Sequence, residues 1–354
     1  MTGYRHTEGV GATPRGRMHQ MDLVTFAAPR IASAATARTP KIETYDAGGS
    51  ERPAGGFGTL VRTGDDKPSG DTAIDAAHTN AGIVRDFYKD VLGRNSIDGA
   101  GMDMKSVVHF GTAYNNAYWD GAKMTYGDGD GKMFSPLSGA LDVVGHEMTH
   151  GVTEHTARLE YSGQAGALNE SWSDVFGEVI EQWSENRSGF GTTDAARGAD
   201  WLIGEDVMTP GTAGDALRSM KAPGTAYKGD VQPADMAHYQ QMPNDEEHDN
   251  GGVHVNSGIP NKAAYDVAIK VGSEKVAKIW YTALTDFLRP SADFAAAAGA
   301  TIAAATKLYG AGAESQAVAD AWKAVGVTAA TGVTRVTHAA TERPARPDND
   351  GIVP

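Results

Sequence analysis

Apolar and polar positions alternate in short runs along the first part of the chain. The alternation predicts β-strands, separated by glycine-rich turns, at residues 42–47, 59–62, 106–110, 113–119 and 124–126. One longer run, with apolar residues three and four apart, predicts a helix over residues 72–92 with Asp71 as its N-cap. The first part of the chain is therefore expected to be rich in β-structure.

Helical spacing dominates the second part. Helices are predicted from residue 137 to about 153 and from 167 to about 184, followed by a polar, insertion-like loop at 186–197. Four alanine-rich amphipathic segments come next, at residues 261–271, 274–288, 293–309 and 314–325. The pattern predicts an α+β protein with a β-rich N-terminal domain (39–136) and a mainly α-helical domain (137–328), with a site in the cleft between them.

The two ends of the chain are polar and have no sustained period. We predict that residues 1–38 are a tail or propeptide remnant, cleaved between Arg30 and Thr39, and that residues 329–354 form a disordered tail. The apolar stretch at 23–28 is too short for a convincing signal peptide, and no apolar run approaches the roughly 18 residues of a membrane span.

Composition restricts the partners more than the fold. The 354 residues include 31 lysines and arginines and 45 aspartates and glutamates, a net charge of −14. This balance disfavours nucleic acid and anionic membranes as partners, and it suits hard cations such as calcium. The chain has no cysteine, which excludes disulfides, thiolate zinc sites and cysteine nucleophiles. The glycine and aspartate run at 127–131 lacks the later glutamate of an EF-hand, so it is predicted to be a tight turn.

The strongest chemical signal is an H-E-x-x-H motif, formed by His146, Glu147 and His150 within a predicted helix. Residues four apart on a helix differ by about 40° in azimuth, so both imidazoles share one face and can reach one metal ion. Glu147 would lie beside that ion as a base for a metal-bound water. The alternative is a chance match on a surface helix, and a third ligand would count against it.

Two candidates could complete a three-ligand zinc site. In the extended motif H-E-x-x-H-x-x-G-x-x-H, Thr153 and Thr156 occupy the glycine and third-histidine slots, and His155 lies one residue out of step. Glu170, twenty residues beyond the motif, is favoured because the chain can turn and return as an antiparallel helix. Asp174 would then accept a hydrogen bond from the far nitrogen of a ligand imidazole. The alternative for both carboxylates is an exposed acidic helix face.

These motifs resemble those of the thermolysin-like neutral metalloproteases, most closely the protealysin-type branch. Besides 141–150 and 166–177, the resemblance rests on stretches at 114–121, 126–131, 214–220 and 249–258, and it spans residues 59–327. It implies a two-domain thermolysin-like fold, one catalytic zinc ion, peptide or protein substrates, a monomer, and secretion as a zymogen. The di-proline motif of protealysin-type propeptides is not found at the N-terminus.

The resemblance also implies residue roles. Glu147 would deprotonate the zinc-bound water and pass the proton to the leaving amine. His254 and Tyr161 would donate hydrogen bonds to the oxyanion of the tetrahedral intermediate, and Asp249 would orient the His254 imidazole.

Substrate-binding residues are implied in the same way. Asn116 and the Ala117 carbonyl would pair with the substrate backbone as a strand does, and Arg218 would donate to a carbonyl on the primed side. Six apolar residues match the lining of the family's S1′ pocket, although each alone would more often be a core residue: Phe134, Leu137, Val143, Ile203, Val207 and Leu217. Their size predicts cleavage before Leu, Phe, Ile or Val.

Four carboxylates match the family's main calcium site: Asp142, Glu181, Asp200 and Glu205. The loop between the second and third is longer than in the type protein, and Leu202 stands where that protein has an acidic residue. We therefore expect at least one structural calcium ion but not a tight pair.

Two other functions fit the sequence less well than peptide hydrolysis. A catalytically inactive, calcium-stabilised binding module on the same scaffold would have no need of Glu147, Tyr161 and His254. A zinc hydrolase acting on esters or sugars would leave the backbone-binding residues and the apolar pocket without a use. The sequence therefore favours a zinc-dependent endopeptidase that cleaves on the N-terminal side of bulky apolar residues.

Overall fold

A mixed five-stranded sheet forms the first part of the fold. The computed structural model describes residues 38–209, 214–336 and 338. The strands are β1 (Ile42–Asp46), β2 (Thr59–Thr63), β3 (Met104–Val108), β4 (Ala117–Trp119) and β5 (Met124–Tyr126). Their order is β2-β1-β3-β5-β4, with β1–β3 and β3–β5 parallel and the other pairs antiparallel. Strand β4 is therefore at one edge of the sheet.

Helix α1 (Thr72–Leu92) packs against this sheet and has the predicted bounds. The Asp71 carboxylate accepts hydrogen bonds from the backbone N–H groups of Ala73 and Ile74, so it caps the helix as predicted. Gly93 ends the helix in the left-handed conformation, which favours glycine.

Two antiparallel helices, α2 (Leu141–Glu154) and α3 (Gly163–Glu185), form the centre of the molecule. Glycines allow their close approach. A Cβ atom on Gly145 would lie 3.1 Å from the Cα atom of Gly177, and one on Gly177 would lie 2.5 Å from the carbonyl oxygen of Asp142. The backbones of the two helices are therefore close enough for their side chains to share one site.

Six further helices follow α3 in the described part of the chain. They are α4 (Thr193–Gly198), α5 (Asp249–Asn256), α6 (Gly258–Val271), α7 (Ser273–Asp286), α8 (Phe294–Tyr309) and α9 (Ala313–Ala324). Four of them, α5 to α8, contact α3. A two-stranded sheet of β6 (Leu202–Ile203) and β7 (Arg218–Ser219) lies before α5 in the chain. The fold is α+β, with a sheet-bearing N-terminal part and a helical C-terminal part, as predicted. Among the described residues, no helix is long and apolar enough to cross a bilayer.

Several predicted bounds were partly wrong. Residues 186–197 are not all loop, because α4 begins at Thr193 with the Thr192 side chain accepting from the Ala195 N–H. The motif helix begins at Leu141 rather than 137, after a 3-10 turn at Leu137–Gly139. Residues 113–116 lie outside β4. The predicted tails lie mostly at residues 1–37, 337 and 339–354, outside the described residues, as does most of the predicted cleavage interval.

Candidate active site

Three side chains converge between α2 and α3. His146 and His150 lie on one face of α2 with their Nε2 atoms 3.0 Å apart. Glu170 on α3 faces both: its Oε2 atom lies 3.4 Å from His146 Nε2 and its Oε1 atom lies 3.4 Å from His150 Nε2. All three are buried, and their ligand atoms lie within 4.8 Å of one another. The structure thus brings together the three residues predicted as metal ligands.

The far nitrogens of both imidazoles are occupied. His146 Nδ1 lies 2.8 Å from Asp174 Oδ1, and His150 Nδ1 lies 2.9 Å from Asn169 Oδ1 and 3.1 Å from Ser173 Oγ. A carboxylate and an amide oxygen can only accept, so each Nδ1 carries a proton and each Nε2 faces the centre, where it can ligate a metal ion once that nitrogen is deprotonated. The Asp174 contact was predicted, whereas that of Asn169, which stands directly before Glu170 on α3, was not.

The donor set and its charge suit a zinc ion. Two imidazole nitrogens and one carboxylate are the ligands of one recurrent type of catalytic zinc site. Burial lowers the pKa of His146, but Asp174 and Glu170 outweigh it and raise that pKa to about 9. Burial raises the pKa of Glu170, yet the charges of His254, His150 and His146 hold it well below its usual value. The centre therefore favours positive charge and keeps Glu170 ionised.

Asp174 is held by more than His146. Arg218 donates from Nε and Nη2 to its two oxygens at 2.8 and 2.7 Å, and Asn261 Nδ2 donates at 2.8 Å. Burial raises the pKa of Asp174, but the Arg218 charge and the His146 hydrogen bond lower it to about 2. The side chain of Arg218, predicted to bind substrate, is thus engaged in a bidentate pair behind the metal-binding group.

Tyr161 and His254 also contact the Glu170 carboxylate. Tyr161 Oη donates to Glu170 Oε1 at 2.6 Å and lies 3.3 Å from His254 Nε2, which is itself 3.4 Å from Glu170 Oε2. Asp249 Oδ1 lies 2.6 Å from His254 Nδ1, and Asp249 Oδ2 accepts from the His254 backbone N–H at 2.8 Å. Asp249 has a φ of 54°, at the start of a left-handed run that extends through Gly252. This backbone geometry lets one carboxylate hold both the ring and the amide of His254.

Glu147 lies between the metal-binding group and the sheet edge. It is fully buried, and its Oε2 atom accepts from the Trp119 backbone N–H at 3.2 Å. Trp119 ends strand β4, the edge strand that also carries Ala117, with Asn116 directly before it. Glu147, the predicted base, therefore contacts the strand that carries the predicted backbone-binding residue Ala117 and directly follows Asn116.

The apolar residues predicted as one pocket separate into two groups. Phe134 and Leu217 line a cavity of about 240 Å³, together with Met133, Met208, Arg218, Tyr227, Asp230, Val231, Gln232, His254 and Val255. Leu137, Val143, Ile203 and Val207 do not line this cavity and are at most 1% exposed. The cavity shares Arg218 and His254 with the site, but none of the three metal-binding residues.

A second carboxylate group lies near the start of α2. Glu181, Glu205 and Asp206 place ligand atoms within 4.8 Å of one another. Burial and the neighbouring carboxylates, Asp142 first among them, raise the pKa of Glu181 and Glu205.

Asp142 is fully buried, and its Oδ2 atom accepts from the Gly204 N–H. Asp206 was not predicted, and the predicted ligands Asp142 and Asp200 are outside the group; Asp200 accepts from the Leu202 N–H.

Comparison with known proteins gives consistent results for most of the chain. The family model described as thermolysin metallopeptidase, catalytic domain, matches residues 13–154, and the model for the alpha-helical domain matches residues 157–327. The thermostable neutral protease NprT of Geobacillus stearothermophilus is 46% identical over 283 residues, 76% of this chain and 48% of the relative. The neutral protease NprE of Bacillus pumilus is 49% identical over 255 residues, 72% of this chain and 77% of the relative.

A solved structure is also similar, the precursor of protealysin, a metalloproteinase from Serratia proteamaculans. Its TM-score is 0.75 at 41% sequence identity, with 84% of this chain and 91% of that chain covered. This chain spans about half the length of several curated relatives that it matches, among them a thermolysin of Alicyclobacillus acidocaldarius subsp. acidocaldarius, of which it covers 48%.

Proposed function

This chain belongs to the thermolysin family of metallopeptidases, and on that premise we propose that it is a zinc-dependent endopeptidase cleaving before bulky apolar residues. The observation that carries the proposal is the convergence of His146, His150 and Glu170 with Glu147 beside them. When zinc is bound by the three ligands, it polarises the scissile carbonyl and lowers the pKa of water from 15.7 to about 7.

Glu147 is proposed to carry the proton. Its carboxylate accepts a proton from the attacking water and then gives it to the nitrogen of the leaving amine. The Trp119 N–H holds Oε2, which fixes the carboxylate between the metal-binding group and strand β4. Burial keeps bulk water away from it.

Tyr161 and His254 are proposed to stabilise the oxyanion. Both have a donor atom near Glu170, and Asp249 fixes the His254 ring so that its Nε2–H points into the site. Burial lowers the pKa of His254, but Glu170 and Asp249 raise it overall, which favours a ring that donates. Removing one such donor typically costs about 10²–10³ in kcat.

The edge of the sheet is proposed to bind the substrate backbone. Strand β4 is paired with β5 on one side only, so an extended peptide can add to its other side at Asn116 and Ala117.

Arg218 is proposed to donate to a substrate carbonyl while it holds Asp174. Phe134 and Leu217, which line the cavity beside the site, would contact the apolar side chain after the scissile bond.

A structural calcium ion is proposed at Glu181 and Glu205, two of the four carboxylates expected from the sequence, together with Asp206. Hard carboxylate oxygens are the ligands that calcium prefers. We also propose a domain division at residues 39–136 and 137–328, secretion of a monomer, and a zymogen stage, which the similarity to a protealysin precursor supports. Nothing in the site favours an inactive calcium-stabilised module.

The proposal is tested with two fluorogenic peptides that differ only at the residue after the scissile bond, leucine or aspartate. We expect cleavage of the leucine peptide alone, loss of activity with 1,10-phenanthroline, and recovery when zinc is added back. Metal analysis should give one zinc per chain. Activity that survives complete zinc removal would overturn the mechanism, and equal cleavage of both peptides would overturn the specificity.

A further inference from the structure

Side chains hold the backbone of His254 at both of its peptide groups. The N–H donates to Asp249 Oδ2 at 2.8 Å. The carbonyl oxygen accepts from Gln232 Nε2 at 2.7 Å and from Ser257 Oγ at 2.8 Å. Gln232 Nε2 carries two hydrogens, and it also donates to Ser257 Oγ at 3.1 Å. The backbone of His254 is therefore anchored at its carbonyl as well as at its N–H.

Gln232 contacts His254 from a separate segment of the chain. It belongs to residues 221–248, which lie between β7 and α5 without a long helix or strand, and it stands 22 residues before His254. The segment packs closely against the start of α6. A Cβ atom on Gly258 would lie 2.7 Å from the Pro233 carbonyl oxygen and 3.1 Å from the Gln232 Cβ atom, so a side chain there would displace the segment. This packing fixes the position of Gln232 before substrate binds.

Burial alone does not favour a glutamine at this position. The Gln232 side chain is buried, and its Oε1 atom has no hydrogen-bond donor among the described residues. Buried acceptors are normally paired, so an apolar side chain of the same length would leave fewer polar groups unmet. The amide nitrogen, in contrast, contacts two acceptors. What glutamine supplies here is the hydrogen bond to the His254 carbonyl.

We propose that Gln232, together with Ser257, is a positioning residue that holds His254 where its ring can donate to the oxyanion. Neither side chain contacts the metal-binding residues among the described contacts, so both act through the His254 backbone. The inference rests on the proposed function of His254. A displacement of about 1 Å at a reacting group can cost about 10²-fold in rate, so loss of this anchor should lower kcat by about 10–100-fold.

The test uses full-length zinc-loaded protein and the leucine peptide. Gln232→Met keeps the length of the side chain and removes the amide. We expect kcat to fall by about 10–100-fold with KM, zinc content and Tm unchanged, because an interaction needed only in the transition state is lost. Gln240→Met is the matched control, since Gln240 lies on the same segment and donates to the Val231 carbonyl instead. It should leave kcat unchanged.

A double-mutant cycle separates positioning of His254 from a general structural role. In a His254→Ala background, Gln232→Met should have no further effect on kcat, because a residue that acts through His254 has nothing left to position. Ser257→Ala removes only a hydroxyl group. Carried through the same cycle, it should show the same pattern with a smaller fall in kcat, whether or not Gln232→Met folds.

Equal falls in kcat with and without His254, or a raised KM at unchanged kcat, would overturn the inference and leave the peptidase function intact. An unchanged kcat in His254→Ala itself would overturn both the proposed role of His254 and the inference.

Discussion

Two side chains that do not face the metal-binding centre orient the histidines that do. Asp174 and Asn169 fix the rings of His146 and His150 through the nitrogens that face away from the centre. The two histidine ligands could be predicted from the sequence, because a four-residue separation places side chains on one helix face. Asn169 could not be predicted, because an amide on a helix has no signal of its own until its partner is known.

Asn169→Ala should weaken zinc binding about 10–100-fold, the usual cost of losing a hydrogen-bond partner of a ligand imidazole. The His150 ring would lose its acceptor at 2.9 Å and keep only Ser173 at 3.1 Å. The measurement is zinc affinity by competition with a chromophoric chelator. Gln316→Ala on the distant helix α9 is the control, and equal affinities for the two variants would contradict the prediction.

His109 should make stability depend on pH. Burial lowers its pKa, but the hydrogen bond and charge of Asp128 raise it overall above 6.5. Its stabilising contribution is therefore complete below pH 6.5 and is lost as pH rises through the folded-state pKa. His109 has a φ of 54°, so His109→Asn is the suitable replacement.

We expect the Tm difference between wild type and His109→Asn to be larger at pH 5.5 than at pH 8.5. Thermal unfolding at both pH values, in one buffer system and with saturating metal, measures it. A difference that is the same at both values would show that the ion pair with Asp128 contributes nothing.

Secondary-structure predictions were accurate where a helix was long and capped. Helix α1 has a periodic apolar face, an aspartate cap and a terminal glycine, and all three signals are local. Helix α4 has six residues and one buried residue, Ala196, so no period could reveal it. The segment at residues 221–248 is held beside the site by long-range polar contacts, such as that of Gln232 with the His254 carbonyl, which no local pattern encodes.

The close packing of α2 against α3 predicts a cost for Gly177→Ala. The added methyl group would lie 2.5 Å from the Asp142 carbonyl oxygen, so the helices must separate. Overpacking of this kind costs about 1–3 kcal/mol. Gly198→Ala is the matched control, because a Cβ atom there meets nothing within 4 Å. A lowered Tm for the first variant alone is expected, and equal Tm values would contradict it.

At the scale of the whole molecule, one sheet edge and one pair of helices meet at a single site. The α+β architecture and the family were predictable because the resemblance extended over several separate stretches of the chain. The composition of the carboxylate group was not, since Asp206 rather than Asp200 joins Glu181 and Glu205.

Calcium should stabilise the fold through this group. Binding to the folded state alone adds RT ln(1 + [L]/Kd), about 2.7 kcal/mol at a hundredfold excess over Kd. We expect Tm to rise with calcium concentration in wild type and to respond far less in Glu205→Gln, whereas Glu314→Gln on α9 should behave as wild type. Equal calcium dependence in all three proteins would place the ion elsewhere.

Glu147→Gln separates proton transfer from zinc binding, because it removes the proposed proton carrier and leaves the three ligands intact. Zinc content by metal analysis and kcat on the leucine peptide are measured together, with Glu185→Gln at the exposed end of α3 as control. We predict one zinc per chain in both variants and a fall in kcat of about 10²–10⁴ for Glu147→Gln only. Full activity of Glu147→Gln with zinc bound would contradict the account.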